Sequence, residues 1–196
     1  IAPLYKGCQT AASPKKRASR SDERLNSAQK IIAYPTEGVW GLGCDPGDEV
    51  AIAALLALKG RGTEKGLIVI ASGFAQVADL LTPEAHALYQ SALAQQPDSH
   101  PTTYILPAAA HCSPLLTGGR DTLAVRISTH PPVVALCTRM GAIVSTSANR
   151  SGEPACRNRD EVFAIFGNTV AYADGEVGTA QGASRIVDAR TGQCLR

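Results

Sequence analysis

Short apolar runs alternate with helical segments along most of this chain, and that alternation constrains the fold more than any other feature. The pattern predicts strands over residues 31–34, 67–70, 102–106, 123–127, 142–145, 172–174 and 185–188, and helices over 48–59, 74–81, 83–95, 132–140 and 160–166. Residues 36–46 fall between these elements and carry three glycines, so we expect a turn there. Because some connections are short, we predict an α/β fold with helices packed on an open, twisted, mixed sheet.

The basic residues are concentrated at the start of the chain. Residues 1–30 hold seven Lys or Arg and two acids, whereas the other 166 residues hold twelve basic and fifteen acidic side chains. We therefore divide the chain into a basic N-terminal segment, residues 1–29, and one domain, residues 30–196. The segment is either a solvated tail or an arm that binds nucleic acid. No apolar run approaches the roughly 18–20 residues that cross a bilayer, so we expect no membrane association.

The six cysteines are scattered along the chain. They form neither a CxxC pair nor a compact cluster with histidine, which argues against a zinc site and against a disulfide framework. Reduced thiols are typical of the cytoplasm, and we expect a cytoplasmic protein.

Four polar clusters lie where predicted strands or helices end. They are Thr36 with Glu37; Lys59 with Arg61 and Lys65; Thr122 with Arg126; and Ser145 with Thr146, Ser147 and Asn149. Each alone has an ordinary structural explanation, namely a turn or helix cap, a solvated loop, a buried ion pair, or a run of capping residues. Together, hydroxyls and cations at element ends suit an anionic ligand held from several sides, since guanidinium and ammonium groups match phosphate and carboxylate oxygens. The glycines near Glu37 would let the backbone approach that ligand.

Two common motifs of nucleotide and ester chemistry are missing from the sequence. It contains no Walker A pattern, G-x-x-x-x-G-K-[ST], and no G-x-S-x-G nucleophile elbow. Any phosphate site in this chain would therefore be built from other groups.

Four ordered motifs carry a resemblance to a known family. AYPTEGVWGLGCDP, LKGRGTEKGLIVI, LAVRISTHPPV and STSANRSGEPA resemble, in this order and spacing, the YrdC/TsaC family of threonylcarbamoyl-AMP synthases, from about Lys30 to the last residue. The resemblance implies a YrdC-like fold with a deep, positively lined central cavity. It also implies a nucleotidyltransferase that makes threonylcarbamoyl-AMP and pyrophosphate from L-threonine, bicarbonate and ATP. That product serves the N6-threonylcarbamoyl (t6A) modification of adenosine 37 in tRNA, together with the other proteins of the t6A pathway.

The same resemblance assigns roles to individual residues. Lys59 and Arg61 would be catalytic and would hold the phosphates of ATP together with Mg²⁺, with no metal site made by protein groups alone. The residues around L-threonine would be Thr36, Lys65, Arg126, Ser147 and Ser184. The nucleotide-binding residues would be Lys59, Arg61, Thr122, Ser145, Asn149 and Arg157. Arg126 is expected to face a carboxylate, because a strand-borne guanidinium presents a fixed fork. Glu37 would order the turn or the metal-bound phosphates.

Two departures from the family pattern support a second hypothesis. Gly62 replaces a proline after Arg61, and Asp98-Ser99-His100 replaces an aromatic, glycine-containing segment. With the basic N-terminal segment, these changes would also suit a module of the same fold that binds tRNA or double-stranded RNA without synthase activity. A third hypothesis, carbamoyl-adenylate formation as in hydrogenase-maturation proteins, is disfavoured because those proteins add zinc-finger modules.

Overall fold

The fold is built on one eight-stranded sheet. The computed structural model describes residues 30–96 and 100–196, so the predicted segment 1–29 and the departures at Asp98 and Ser99 lie outside the described residues. The strands are β1 (Ile32–Pro35), β2 (Trp40–Gly43), β3 (Ile68–Ala71), β4 (Thr102–Pro107), β5 (Thr122–Ile127), β6 (Ile143–Ser147), β7 (Ala171–Tyr172) and β8 (Arg185–Asp188). The helices are α1 (Glu49–Lys59), α2 (Ala85–Ala94), α3 (Pro114–Thr117), α4 (Pro131–Met140) and α5 (Arg159–Phe166), with short 3₁₀ turns between them.

The strand order is β7-β1-β2-β6-β3-β5-β4-β8. Neighbours pair in parallel at β7/β1, β3/β5 and β4/β8, and antiparallel at β1/β2, β2/β6, β6/β3 and β5/β4. The sheet is therefore mixed and the fold is α/β, which confirms the predicted fold class.

Two predicted elements were wrong. The glycine-rich segment contains strand β2, which pairs with β1 and β6. A side chain at Gly41 would lie 3.2 Å from the Tyr34 ring, and one at Gly43 would overlap the Val144 carbonyl, so these glycines allow a strand to pack closely. The predicted helix over 74–81 is instead two 3₁₀ turns, Phe74–Gln76 and Ala78–Leu80. The short helix α3 was not predicted.

Helix α1 begins and ends at the residues that its sequence favours. The side chain of Asp48 accepts a hydrogen bond from the Ala51 amide at 3.0 Å, which caps the first turn. Gly60 ends the helix in the left-handed conformation, with φ of 61°. This ending places Lys59 on the last turn, next to the loop that carries Arg61.

The two faces of the sheet are covered differently. Alternate residues such as Val69, Val125 and Val144 join the large apolar cluster on one face. On the other face, Tyr34 and Ile70 pack with apolar residues of α4 in a smaller cluster. The rest of this second face lines a cavity, where polar and small side chains such as Ser145 and Ala124 lie beside Ile68.

Two further findings concern the described residues as a whole. Within residues 30–96 and 100–196, no helix is both long and apolar enough to cross a membrane. In that same part of the chain all five cysteines are free, four of them buried and Cys194 exposed.

Candidate active site

A cavity of about 470 Å³ opens on the second face of the central strands. The sheet register builds its floor: Ser145 of β6 lies opposite Ile68 of β3, Ile68 lies opposite Ala124 of β5, and Ala124 lies opposite Ile105 of β4. Residues two positions away along the same strands share that face, so Arg126 and Ser147 also line the cavity. The floor is formed by side chains from four neighbouring strands.

Most of the predicted site residues meet in this cavity. Those that line it are Thr36, Arg61, Lys65, Thr122, Arg126, Ser145, Ser147 and Ser184. Three predicted residues, Lys59, Asn149 and Arg157, lie outside the lining. The roles proposed for all eleven residues stay predictions, since the geometry brings side chains together without a bound ligand.

The cavity is strongly cationic. Arg61, Lys65 and Arg126 are joined there by two arginines that the sequence analysis missed, Arg120 and Arg196, and among the described residues that line the cavity none is Asp or Glu. Cations that converge without acidic neighbours on the wall attract a ligand with several negative charges. The arrangement is suited to phosphate and carboxylate groups.

Arg61 is held by the glycine loop that follows it. Its Nη2 donates to the Gly66 carbonyl at 3.0 Å, and burial lowers the pKa of its guanidinium. Its Nε is buried and has no partner within the described residues. A buried donor left unpaired is costly, so Arg61 has hydrogen-bonding capacity that its own loop does not use.

Arg120 is fixed at the entrance to β5. Its Nη1 donates to the Thr117 carbonyl at 3.2 Å and its Nη2 to the Glu64 carbonyl at 3.0 Å. The sequence signal was a cation after the Gly118-Gly119 pair, directly before a predicted strand, which resembles the positions of the other cationic residues. Arg196 is exposed, and its guanidinium donates to the Ser184 carbonyl at 3.1 and 3.3 Å.

Arg126 pairs with a carboxylate of the chain itself. Its Nη2 donates to Glu37 Oε2, and Ser128 Oγ donates to Glu37 Oε1 at 2.8 Å. Burial lowers the pKa of Arg126, and the Glu37 carboxylate opposes that shift. The Glu37 carboxylate therefore binds the guanidinium and the Ser128 hydroxyl, in addition to lying in the turn where it was expected.

The side chain of Lys59 is buried and joins the end of helix α1 to the end of strand β6. Its Nζ donates to the carbonyls of Ser147 and Asn149 and to the Asn149 side-chain oxygen, at 2.5, 2.7 and 3.1 Å, and only 4% of the residue is exposed. Burial, aided by the positive charge of Arg61, lowers the pKa of Lys59 to about 8. The amine thus fixes the loop at the end of β6, which carries the cavity residue Ser147.

A buried tyrosine orients one hydroxyl of the cavity. Tyr34 is fully buried and its hydroxyl donates to Ser145 Oγ at 2.7 Å. Burial raises the pKa of Tyr34, so the phenol stays protonated and remains a donor. The Ser145 oxygen accepts this hydrogen bond, so its own O–H is free to donate elsewhere.

The chain crosses from one edge of the sheet to the other between β7 and β8, and we call residues 174–184 the crossing segment. The Gly178 amide donates to the Thr36 carbonyl at 3.0 Å, and the Ala180 amide donates to the Glu37 carbonyl at 2.9 Å. The segment ends at Ser184, whose hydroxyl lies 2.8 Å from the Thr103 hydroxyl. A side chain at Gly38 would lie 2.7 Å from the Gly182 carbonyl oxygen, so this glycine permits the crossing.

Arg157 belongs to a second, smaller cavity. Together with Asp174 and Glu176 it lines a space of about 350 Å³ beside the start of α5. Trp40 lines both cavities and is 3% exposed, with its ring in the large apolar cluster, so it packs the core and also separates the two spaces.

Among the described residues, no carboxylate lines the main cavity to bind a metal ion. Within residues 30–96 and 100–196 there is no group of three or more His, Cys, Asp or Glu that could hold an ion. Hydroxyls and cations line the wall, and Mg²⁺ prefers carboxylate and phosphate oxygens. These donors would suit a metal ion that is carried by a phosphate ligand, and this role of Mg²⁺ stays a prediction.

An open α/β sheet with a cationic cavity on one face defines a class of proteins that bind small anionic ligands. The sequence matches the Sua5_yciO_yrdC family model, described as "Telomere recombination", over residues 25–196. The chain therefore belongs to the Sua5/YciO/YrdC family, as the resemblance predicted.

Curated relatives are similar over most of their length. A threonylcarbamoyl-AMP synthase of Serratia proteamaculans is 47% identical over 169 residues, which cover 86% of this chain and 89% of that protein. A protein of the same name from Xanthomonas campestris pv. campestris is 49% identical over 170 residues, 85% of this chain and 90% of that protein.

Solved structures share the fold. P. abyssi Sua5 in complex with L-threonine has a TM-score of 0.73 and 30% identity, covering 86% of this chain. The chain spans about half of that longer Sua5 protein, 50% of its length. E. coli YciO has a TM-score of 0.69 over 90% of this chain and 87% of its own, at 17% identity, and shows the fold alone.

Proposed function

We propose that this chain is an L-threonylcarbamoyladenylate synthase. The observation that carries the proposal is the similarity, near half of all residues, to relatives with that name over nearly their whole length. The cationic cavity supports it, since the reaction brings together one carboxylate, one carbonate and a triphosphate.

The chemistry requires positioning more than a nucleophile of the protein. The amine of L-threonine bonds to the carbon of bicarbonate, water is lost, and a carbamate forms. A carbamate oxygen then bonds to the α-phosphorus of ATP, the bond to the β-phosphate bridging oxygen breaks, and pyrophosphate leaves. Fixed cations that neutralise the carbamate and phosphate oxygens lower the barrier to this transfer.

The cavity offers groups of the right kind for each part of the substrates. Arg61 and Arg120 would bind phosphate oxygens, Arg126 would bind the threonine carboxylate, and Lys65 would also lie beside the threonine. Mg²⁺, carried by the phosphates, would supply further neutralisation of the pyrophosphate. The hydroxyls of Thr36, Ser147 and Ser184 would surround the amino acid, and Thr122 and Ser145 the nucleotide, while Lys59 would act by holding the Ser147–Asn149 loop. Asn149 and Arg157 lie outside the lining of the main cavity, so they would contact only a part of the nucleotide that extends beyond it.

The product would be passed on to tRNA. We propose that the chain works in the cytoplasm with the other t6A-pathway proteins, which transfer the threonylcarbamoyl group to adenosine 37. We also propose that the chain has a surface that binds RNA.

Pyrophosphate release tests the proposal directly. With L-threonine, bicarbonate, ATP and Mg²⁺ we expect steady release, and omission of any one component should abolish it. Arg61→Ala should remove activity, whereas Arg190→Ala, an exposed arginine outside the cavity, should keep it. Release by folded protein without threonine or bicarbonate would contradict the proposal.

The RNA-binding module without synthase activity remains the rival function. Much of its sequence support, residues 1–29 with Asp98 and Ser99, falls outside the described residues, and no observation in the described part favours it. Strong, steeply salt-dependent RNA binding without pyrophosphate release would favour that rival.

A further inference from the structure

Arg126 lines the main cavity, and its partner Glu37 lies outside the lining, with both side chains largely buried. The Arg126 side chain is 11% exposed and that of Glu37 is 20% exposed. A guanidinium this deeply buried needs a counter-charge to remain in place. Glu37 is the carboxylate that provides it.

The contact leaves part of the guanidinium unused. Glu37 Oε2 accepts from Nη2, whereas Nε is buried and has no partner within the described residues. Arginine and carboxylate frequently form two parallel hydrogen bonds, whereas Glu37 uses one donor of this guanidinium. The pair therefore holds a side chain that lines the cavity and leaves it donor capacity that Glu37 does not use.

The second oxygen of Glu37 is fixed as well. It accepts a hydrogen bond from the hydroxyl of Ser128, a residue that is 1% exposed. The Ser128 oxygen in turn accepts a hydrogen bond from the His130 amide at 3.2 Å. The backbone of Glu37 is held by the crossing segment, through the Ala180 amide. The carboxylate is therefore held at both oxygens and at its own main chain.

We propose that Glu37 and Ser128 are positioning residues that hold Arg126 ready for a carboxylate-bearing ligand in the cavity. The inference rests on the proposed function, in which that ligand is L-threonine. Glu37 carries the charge that keeps Arg126 in place, and Ser128 fixes the rotamer of Glu37. Neither residue needs to touch the ligand.

Threonine affinity measured by calorimetry on the full chain tests this inference. Glu37→Gln replaces one oxygen by an amide donor and should weaken threonine binding about ten-fold or more, because a small displacement of a fixed binding group is costly. Affinity for ATP should change less than affinity for threonine, since Arg126 is proposed to bind the threonine carboxylate and not a phosphate. Asp79→Asn, which breaks the exposed contact with His111 at 3.6 Å, is the matched control and should change neither affinity.

A double-mutant cycle separates positioning from a general structural role. If Glu37 acts through Arg126, then Glu37→Gln should have no further effect on threonine affinity in the Arg126→Met background. Ser128→Ala keeps the charge pair and should weaken threonine binding by about three-fold, by loss of one hydrogen bond. If Glu37→Gln does not fold, the threonine affinity of Ser128→Ala tests the inference in its place.

The outcomes distinguish this inference from the proposed function. Wild-type chain that binds threonine and releases pyrophosphate, with both variants unchanged in threonine affinity, overturns the inference alone. An effect of Glu37→Gln that persists without Arg126 also overturns it. Wild-type chain that neither binds threonine nor releases pyrophosphate overturns both.

Discussion

The buried amine of Lys59 permits a quantitative prediction. Lys59→Met keeps most of the length of the side chain and removes three donated hydrogen bonds, to the carbonyls of Ser147 and Asn149 and to the Asn149 side chain. The Asn149 side-chain oxygen still accepts from Ser147 Oγ at 2.5 Å, and the Ser147 carbonyl still accepts from the Asn149 amide at 3.1 Å. Within the described residues, the Asn149 carbonyl is therefore the acceptor that is left without a donor.

The magnitude follows from that one acceptor. A buried acceptor left unpaired costs about 1–3 kcal/mol, and removal of the amine recovers part of its own desolvation cost while the other two oxygens lose a charged donor. We therefore expect Lys59→Met to lower the free energy of unfolding by about 1–3 kcal/mol at pH 7.

The lowered pKa of Lys59 predicts how this difference changes with pH. The folded-state pKa is about 8, below the ordinary value of lysine, so the unfolded chain binds more protons between these two values. Wild-type stability should rise by about 2 kcal/mol from pH 7 to pH 10 on account of this residue. Lys59→Met lacks that rise, so the difference between wild type and variant should widen as pH increases.

Urea unfolding at both pH values measures these differences. Lys30→Met is the control, because Lys30 pairs with Asp48 at 2.9 Å on the surface and such pairs contribute about 0–1 kcal/mol. A loss below about 1 kcal/mol in Lys59→Met at pH 7, or a difference that stays constant with pH, would refute the reasoning.

Three further predictions concern other contacts of the cavity wall. Tyr34→Phe removes the buried donor to Ser145 and should lower the free energy of unfolding by about 1 kcal/mol, as measured by urea titration. Gly38→Ala places a methyl group 2.7 and 2.9 Å from two carbonyl oxygens of the crossing segment and should cost about 1–3 kcal/mol, whereas Gly73→Ala, with open space around it, should be nearly neutral in the same titration. Arg120→Ala should raise the KM for ATP about ten-fold, by loss of a cavity cation, with little change in melting temperature.

Most of the helices and strands could be predicted from the local sequence pattern. The β-branched run around Val125 and the capped helix after Asp48 were predicted within one or two residues, because each carries its own propensity and end signals. Strand β2 was missed because Gly41 and Gly43 have low strand propensity, and their strand conformation comes from pairing with β1 on one side and, for Gly41, with the sequence-distant β6 on the other.

The sequence predicted which residues line the cavity better than it predicted the partners of those residues. Arg61 and Arg126 were expected at a cavity and line it, since cations at element ends are visible in the sequence. The partner of Arg126 was not visible, because Glu37 lies 89 positions away along the chain. Lys59 reads as an exposed cation at a helix C-terminus, and its burial arises from tertiary packing of the loop after β6.

The most direct test of the central claim is identification of the product. Wild-type chain would be incubated with L-threonine, ATP, Mg²⁺ and isotope-labelled bicarbonate, and the small molecules analysed by mass spectrometry, with Arg61→Ala in parallel. The account predicts threonylcarbamoyl-AMP that carries the bicarbonate label in wild type and none in the variant. Pyrophosphate without a labelled adenylate, or no product from folded wild-type chain, would contradict it.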